Sequence, residues 1–139
     1  MSTPLPVNER GYPHPELLAD TDWLAARLSD PNVRVVDART DQEYAKGHIP
    51  GAIHISGFSL GRRADLEMPE PEAFAQLVGP LGIDETMTVV VYDGGGLARM
   101  SQMAGMTGWT FLYFGQPDLR YLDGGLTKWT TEGRPVSTD

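Results

Sequence analysis

An α/β fold built on a central parallel sheet, with helices on both faces, is predicted by three observations. Short apolar runs alternate with helix-patterned segments along most of the 139 residues. The most strand-like run, Thr88-Val89-Val90-Val91-Tyr92, is continuously apolar, as a strand covered on both faces of a parallel sheet must be. It stops at Asp93 and opens into Gly94-Gly95-Gly96, a strand end followed by a tight loop.

Taken in order, residues 1–16 carry four prolines and read as an extended arm over the surface. Asp20 or Thr21 is placed to cap a short helix through Trp23, Leu24 and Leu28, ending near Ser29-Asp30-Pro31. Val33-Arg34-Val35-Val36 is a buried strand leading to Asp37. Thr40 followed by Glu43 forms a capping box, so Asp41 to Lys46 makes one or two helical turns, with Gly47 as the stop. Ile49-Pro50-Gly51 then turns the chain into a strand from Ala52 to Ile55. Residues 56–71 read as loop, Glu72 to Leu81 as helix, and Thr88 to Tyr92 as strand. From Ala98 to Phe114 the spacing is helical, although Gly105 and Gly108 each cost about 1 kcal/mol relative to Ala. Leu119 to Leu122 is a further strand and Leu126 to Glu132 a closing helix. The domain therefore spans 17–136, with 137–139 as a tail or the start of a linker.

The formal net charge of -8 argues against a nucleic-acid partner, because phosphate binding needs clustered Lys and Arg. No segment reaches the roughly 20 apolar residues of a membrane span, and the first residues lack the apolar core of a secretory signal, so a cytoplasmic location is expected. With no cysteine there are no disulfides and no thiolate metal sites. His48 and His54 lack an evident third ligand, so neither a metal nor any other cofactor is expected.

Several motifs stand at the ends of the predicted strands. Pro50 fixes φ and Gly51 permits a sharp turn. His48 fits either a general base or, more simply, a staple of this turn through backbone hydrogen bonds. Asp37 and Arg39 flank a strand end, where open α/β sheets often bind ligands, and a structural pairing of the two is the simpler reading. Asp123 precedes Gly124-Gly125, a pair that lets backbone pack closely between strand and helix, and Trp129 and Trp23 read as core anchors. Gly94-Gly95-Gly96 is no Walker-type phosphate loop, since the Lys-Ser/Thr that should follow is missing.

Taken together, Val35-Val36-Asp37-Ala38-Arg39, then Tyr44 with His48-Ile49-Pro50-Gly51-Ala52, then Leu122-Asp123-Gly124-Gly125-Leu126 and Trp129 resemble the ordered signatures of rhodanese domains over residues 33–135. In an active rhodanese the strand matching Thr88 to Tyr92 ends in a cysteine. The loop after it turns backbone N–H groups inward, stabilising a thiolate or persulfide and binding anionic substrate. Here that stretch is Asp93-Gly94-Gly95-Gly96-Leu97-Ala98-Arg99. Asp93 occupies the nucleophile position and no catalytic residue is assigned. A carboxylate there repels an anion such as thiosulfate unless it turns away or is protonated, and Arg99 is positioned in sequence to pair with it.

The resemblance extends to the first domain of tandem thiosulfate and mercaptopyruvate sulfurtransferases, in which the second domain keeps the cysteine and the first reads Val-Tyr-Asp at this strand end. It departs in the next helix, which usually carries a basic residue and paired tryptophans, whereas here Trp109 stands alone. The resemblance thus implies a domain inactive by itself in sulfur transfer, the non-catalytic or regulatory half of a sulfurtransferase. Two alternatives remain open: a free-standing module that binds a protein or an anion, and a hydrolase using Asp93 as nucleophile or base. The implied partner is a cysteine-bearing rhodanese domain or a second copy of the chain. Met100, Met103, Met106, Trp109 and Phe111, with Phe58 and Leu60, are the expected exposed apolar contacts.

Overall fold

The computed structural model describes residues 5–57, 68–96 and 103–139. Its centre is a sheet of five parallel strands: β1 (Leu18–Ala19), β2 (Val33–Asp37), β3 (Ile53–His54), β4 (Thr88–Tyr92) and β5 (Asp118–Leu122). They lie in the order β1-β5-β4-β2-β3, so the most apolar strand is central. Val91 of β4 aligns with Val36 on one side and Tyr121 on the other. Because the strands are parallel, their carboxyl ends share one edge, and the predicted motif residues at Asp37, Asp93 and Asp123 follow from that edge.

Side chains alternate across β4, and this builds two cores. Val89 and Val91 join Val36 and Leu119 under α3 (Pro71–Val78) and α4 (Met103–Tyr113), where Val78, Met103 and Phe111 close the layer. Val90 and Tyr92 join Val35 and Leu122 on the opposite face, against Leu24 of α1 (Thr21–Ala25) and Trp129 of α5 (Gly125–Thr131). Trp129 is wholly buried and its indole N–H donates to the Pro135 carbonyl at 2.7 Å, which fastens the C-terminal segment. Trp23 lies half-buried between the Arg27 and Arg120 guanidinium groups, 4.3 and 4.4 Å from its ring.

Most element boundaries follow local chemistry. The capping box starts α2 (Asp41–Lys46), with the Glu43 N–H donating to Thr40 Oγ1 and the Thr40 N–H to Glu43 Oε2. Proline at its first position starts α3, and the helix tightens to a 3-10 turn over Gly79–Leu81 around Pro80, which has no N–H to continue the ladder. Asp20 stands at the start of α1 but does not cap it: its carboxylate instead accepts the Val7 N–H, at 3.2 Å. The helix is correspondingly short, ending at Ala25 rather than Leu28. The N-terminal stretch is not simply extended, since it forms 3-10 turns at Val7–Glu9 and Pro15–Leu17, buries Val7 and leads into β1 at the sheet edge.

The exposed apolar set needs correction. Met103 and Phe111 are each 1% exposed and belong to the core, and Met106 packs half-buried against it. The face of α4 that meets the sheet also carries Thr107 and Thr110, both wholly buried, whose hydroxyls donate to the Ile55 and Met106 carbonyls. With two hydroxyls buried beside Met103 and Phe111, and Trp109 and Tyr113 outside, the helix mixes the polarities that periodicity would separate. Trp109 and Tyr113 remain 57% and 60% exposed. Met100, Phe58 and Leu60 lie outside the described residues.

The two glycines of α4 have different physical roles. A Cβ on Gly108 would stand 2.4 Å from the Tyr121 ring, so the missing side chain is what lets α4 lie on β5. A Cβ on Gly105 would meet nothing within 4 Å. Gly105→Ala is therefore expected to stabilise the fold by about 0.5–1 kcal/mol. Gly108→Ala is expected to destabilise it by about 1 kcal/mol net, because displacing the ring outweighs the gain in helix propensity. Urea denaturation checks both, and stabilisation by both variants would refute the close approach of Tyr121.

Candidate functional site

The site is assembled where β4 and β5 end. Asp93 follows the last residue of β4 and is 6% exposed. Its carboxylate turns inward: Oδ1 accepts the Gly95 N–H and Oδ2 the Ala104 N–H, both at 2.9 Å. Burial pushes its pKa up, and the Asp37 charge adds to the shift, against the two N–H donors and the Arg39 charge. The backbone of the same loop serves α5. The Leu126 N–H donates to the Asp93 carbonyl and the Thr127 N–H to the Gly94 carbonyl, each at 2.9 Å, which satisfies donors that a helix start leaves free.

The glycines make this interlock possible. Gly95 and Gly125 both have positive φ, +73° and +58°. A Cβ on Gly95 would meet the Gly124 carbonyl oxygen at 2.1 Å, and one on Gly125 would meet the Asp93 carbonyl oxygen at 2.7 Å. The two loops touch backbone to backbone, with no room for a side chain between them. Beside the contact lies an open cavity of about 400 Å³ lined by Asp93, Gly95, Ala104, Gly105, Tyr121 and Gly125, among others.

A second group of motif residues gathers at the end of β2. Arg39 holds Asp37 through Nε and Nη2, the latter at 2.6 Å from Oδ2, and Nη2 also donates to the Gly47 carbonyl. The Tyr92 hydroxyl donates to Asp37 Oδ2 at 2.6 Å and accepts the Ile49 N–H at 3.0 Å. Burial, then the Asp37 charge, drives the Tyr92 pKa up, so the phenol stays protonated. His48 is buried and stacked on Tyr44 at 3.9 Å; its Nδ1–H donates to the Tyr44 carbonyl, and its backbone pairs with Ser137 in both directions. His54 Nε2–H donates to the Arg39 carbonyl. Gly51 makes its turn at φ +79°, next to Pro50, on the surface.

Thus Asp93, Gly94, Gly95, Gly96, Gly124 and Gly125 come together in one site. Asp37 and Arg39 form a neighbouring buried pair, His48 turns to Tyr44 and Ser137, and Asp123 turns to Arg10, 3.0 Å away. Leu97, Ala98 and Arg99 lie outside the described residues. Sequence reasoning missed Ala104, Tyr121 and the Tyr92 hydroxyl. Of these only Tyr92 carried a signal: a tyrosine ending a buried strand needs a partner for its O–H. Chemically, the arrangement holds a carboxylate with both oxygens engaged, and the phenol, imidazole and guanidinium groups nearby are turned to structural partners.

The backbone contact is open to test. Gly95→Ala adds both left-handed strain and collision with a carbonyl, so a loss of about 3 kcal/mol or more is expected. Gly133 has a similar φ, +75°, with nothing within 4 Å of an added Cβ, so Gly133→Ala should lose only about 1–2 kcal/mol of strain. Equal losses in chemical denaturation would show that the loops do not meet.

Comparison with known proteins places this geometry. The rhodanese-like domain family matches residues 20–132. The sulfur carrier protein TtuD of Thermus thermophilus is 39% identical over 136 residues, which cover 93% of this chain and 45% of that protein. A thiosulfate sulfurtransferase of Corynebacterium glutamicum is 38% identical over 136 residues, covering 96% and 44%. The crystal structure of SseA, a 3-mercaptopyruvate sulfotransferase from Escherichia coli, superposes with a TM-score of 0.77 at 29% identity, over 88% of this chain and 50% of that one. The chain spans about half the length of the curated relatives it matches. With a parallel sheet of this kind and a family match over most of its length, the chain belongs to the rhodanese-like domain family.

Proposed function

We propose that this domain is the non-catalytic half of a sulfurtransferase and works through contact with a cysteine-bearing rhodanese domain. One observation carries the reading: the position after β4 holds a carboxylate ligated by N–H groups of its own loop and of α4, in a chain with no cysteine. A carboxylate cannot carry sulfur as a persulfide, and one with both oxygens engaged is a weak nucleophile, which counts against the hydrolase alternative. The match to about half the length of a thiosulfate sulfurtransferase supports a second rhodanese domain as the partner. Trp109 and Tyr113, adjacent on one face of α4 with ring centroids 6.1 Å apart, supply an apolar contact that the domain's own core does not use.

The pure chain is expected to form no thiocyanate from thiosulfate and cyanide, and turnover above background would overturn the reading. Asp93→Cys should restore at most a trace: the Gly95 and Ala104 N–H groups would lower the thiol pKa, but the Arg39 guanidinium is already held by Asp37. Co-elution with a cysteine-bearing rhodanese domain, lost in Trp109→Ser, is the expected partner result. Light scattering that finds a dimer of this chain instead would assign the contact to a second copy.

A further inference from the structure

We propose that the Asp93 carboxylate is a tethered internal ligand, which fills the oxyanion nest made by the Gly95 and Ala104 N–H groups and so excludes small oxyanions of the thiosulfate and sulfate class. The inference deepens the reading of the domain as non-catalytic and rests on it. Each carboxylate oxygen takes one N–H at 2.9 Å, the arrangement that a bound oxyanion would make with the same two donors. The donors come from different elements, a loop residue and a residue near the first described turn of α4, so the carboxylate bridges them as a ligand would. The cavity of about 400 Å³ beside it has room for a small anion, and five of its lining residues are glycines without side chains: Gly95, Gly96, Gly105, Gly124 and Gly125. What keeps an anion out is therefore the resident charge. A covalently attached carboxylate also forfeits no translational freedom on binding, so a free anion competes poorly with it.

The charged and titratable groups around Asp93 are consistent with this role. Among the described residues, Asp37 at the end of β2 and Arg39 just after it act on it, Tyr92 precedes it on β4, and Tyr121 lines the cavity from β5. Burial in the nest raises its pKa, and the sign of the linkage follows. Its contribution to stability is fully present below the unfolded-state pKa and is lost as pH rises through the higher folded-state value. Burial thus penalises the charge of this carboxylate, and the two N–H donors together with the Arg39 charge oppose that penalty.

Amide chemical shifts of the full chain test the proposal directly. Titration of the wild type with sodium thiosulfate, and separately with sodium sulfate, should give no saturable shift at Gly95 or Ala104. Asp93→Ala and the smaller change Asp93→Ser should bind either anion at least about tenfold more tightly, the equivalent of one charge-assisted hydrogen bond gained, with the shifts centred on those two amides. Equal affinity in wild type and folded variants would overturn it. Should both variants fail to fold, the wild type still decides. Its Asp93 carboxyl carbon and the Gly95 and Ala104 amides should titrate together with one pKa above the ordinary Asp value. Amides that ignore the carboxyl titration would sink the proposal. Thiocyanate formation is expected in none of these proteins, so failure here leaves the non-catalytic reading standing, and turnover by the wild type would remove that reading separately.

Discussion

Backbone N–H groups left over at the carboxyl edge of the sheet must find acceptors, and carboxylates supply them. Where a parallel strand ends, its ladder ends too, and the turn that follows carries donors that cannot stay unpaired in a buried place. Asp37 closes β2 and accepts the Arg39 N–H; Asp93 follows β4 and accepts those of Gly95 and Ala104; Asp20 follows β1 and accepts that of Val7. Crowding acids along one edge costs repulsion, which arginines offset where they reach: Arg39 at Asp37 and Arg10 at Asp123. The described partners of Asp93 are both uncharged, and that is why burial dominates its titration.

The same edge explains how the described part of the site is braced by its own backbone. The loop after β4 rests on the loop after β5 through bare backbone, and its carbonyls receive the first N–H groups of α5. Moving Asp93 or Gly94 would uncap α5, and α5 is anchored by Trp129 in the core of the opposite face. The neighbouring loop at β2 is fixed as firmly, because Arg39 ties Asp37 to the Gly47 carbonyl while Tyr92 links Asp37 to Ile49. Site geometry is thus a consequence of how two cores and their strand ends are joined.

The strands and the capped helix were legible in the sequence because their causes are local. Thr88–Tyr92 is apolar throughout, and Thr40 with Glu43 closes a box over three residues. β1 was not legible: two residues carry no periodicity, and their strand character comes only from pairing with Tyr121 and Leu122, a hundred residues away in sequence. The orientation of α4 misled for a related reason. Its buried face admits Thr107 and Thr110 because their hydroxyls find carbonyls, and admits Gly108 because Tyr121 fills the space, so hydrophobic spacing finds only part of that face. At the site, the strand end and its glycines could be read, and Asp93 identified as the odd residue. The direction of its carboxylate could not, since it depends on Ala104, eleven residues on, being brought within reach by the packing of α4.

That direction bears on why an acid should stand there at all. Two converging N–H groups are a liability unless something accepts from them, because partly buried donors without acceptors cost about 1–3 kcal/mol each. An alanine or glycine at position 93 would leave both to solvent or to any passing oxyanion. A serine offers one oxygen for two donors. Asparagine offers one acceptor and directs its NH₂ group against the other N–H. Aspartate alone among side chains of this length presents two acceptor oxygens, at the cost of a buried charge whose raised pKa records the expense. On this argument the residue that stands where a cysteine would is also the one that best satisfies the donors of its own loop and of α4, so the shape of this edge depends on no anion.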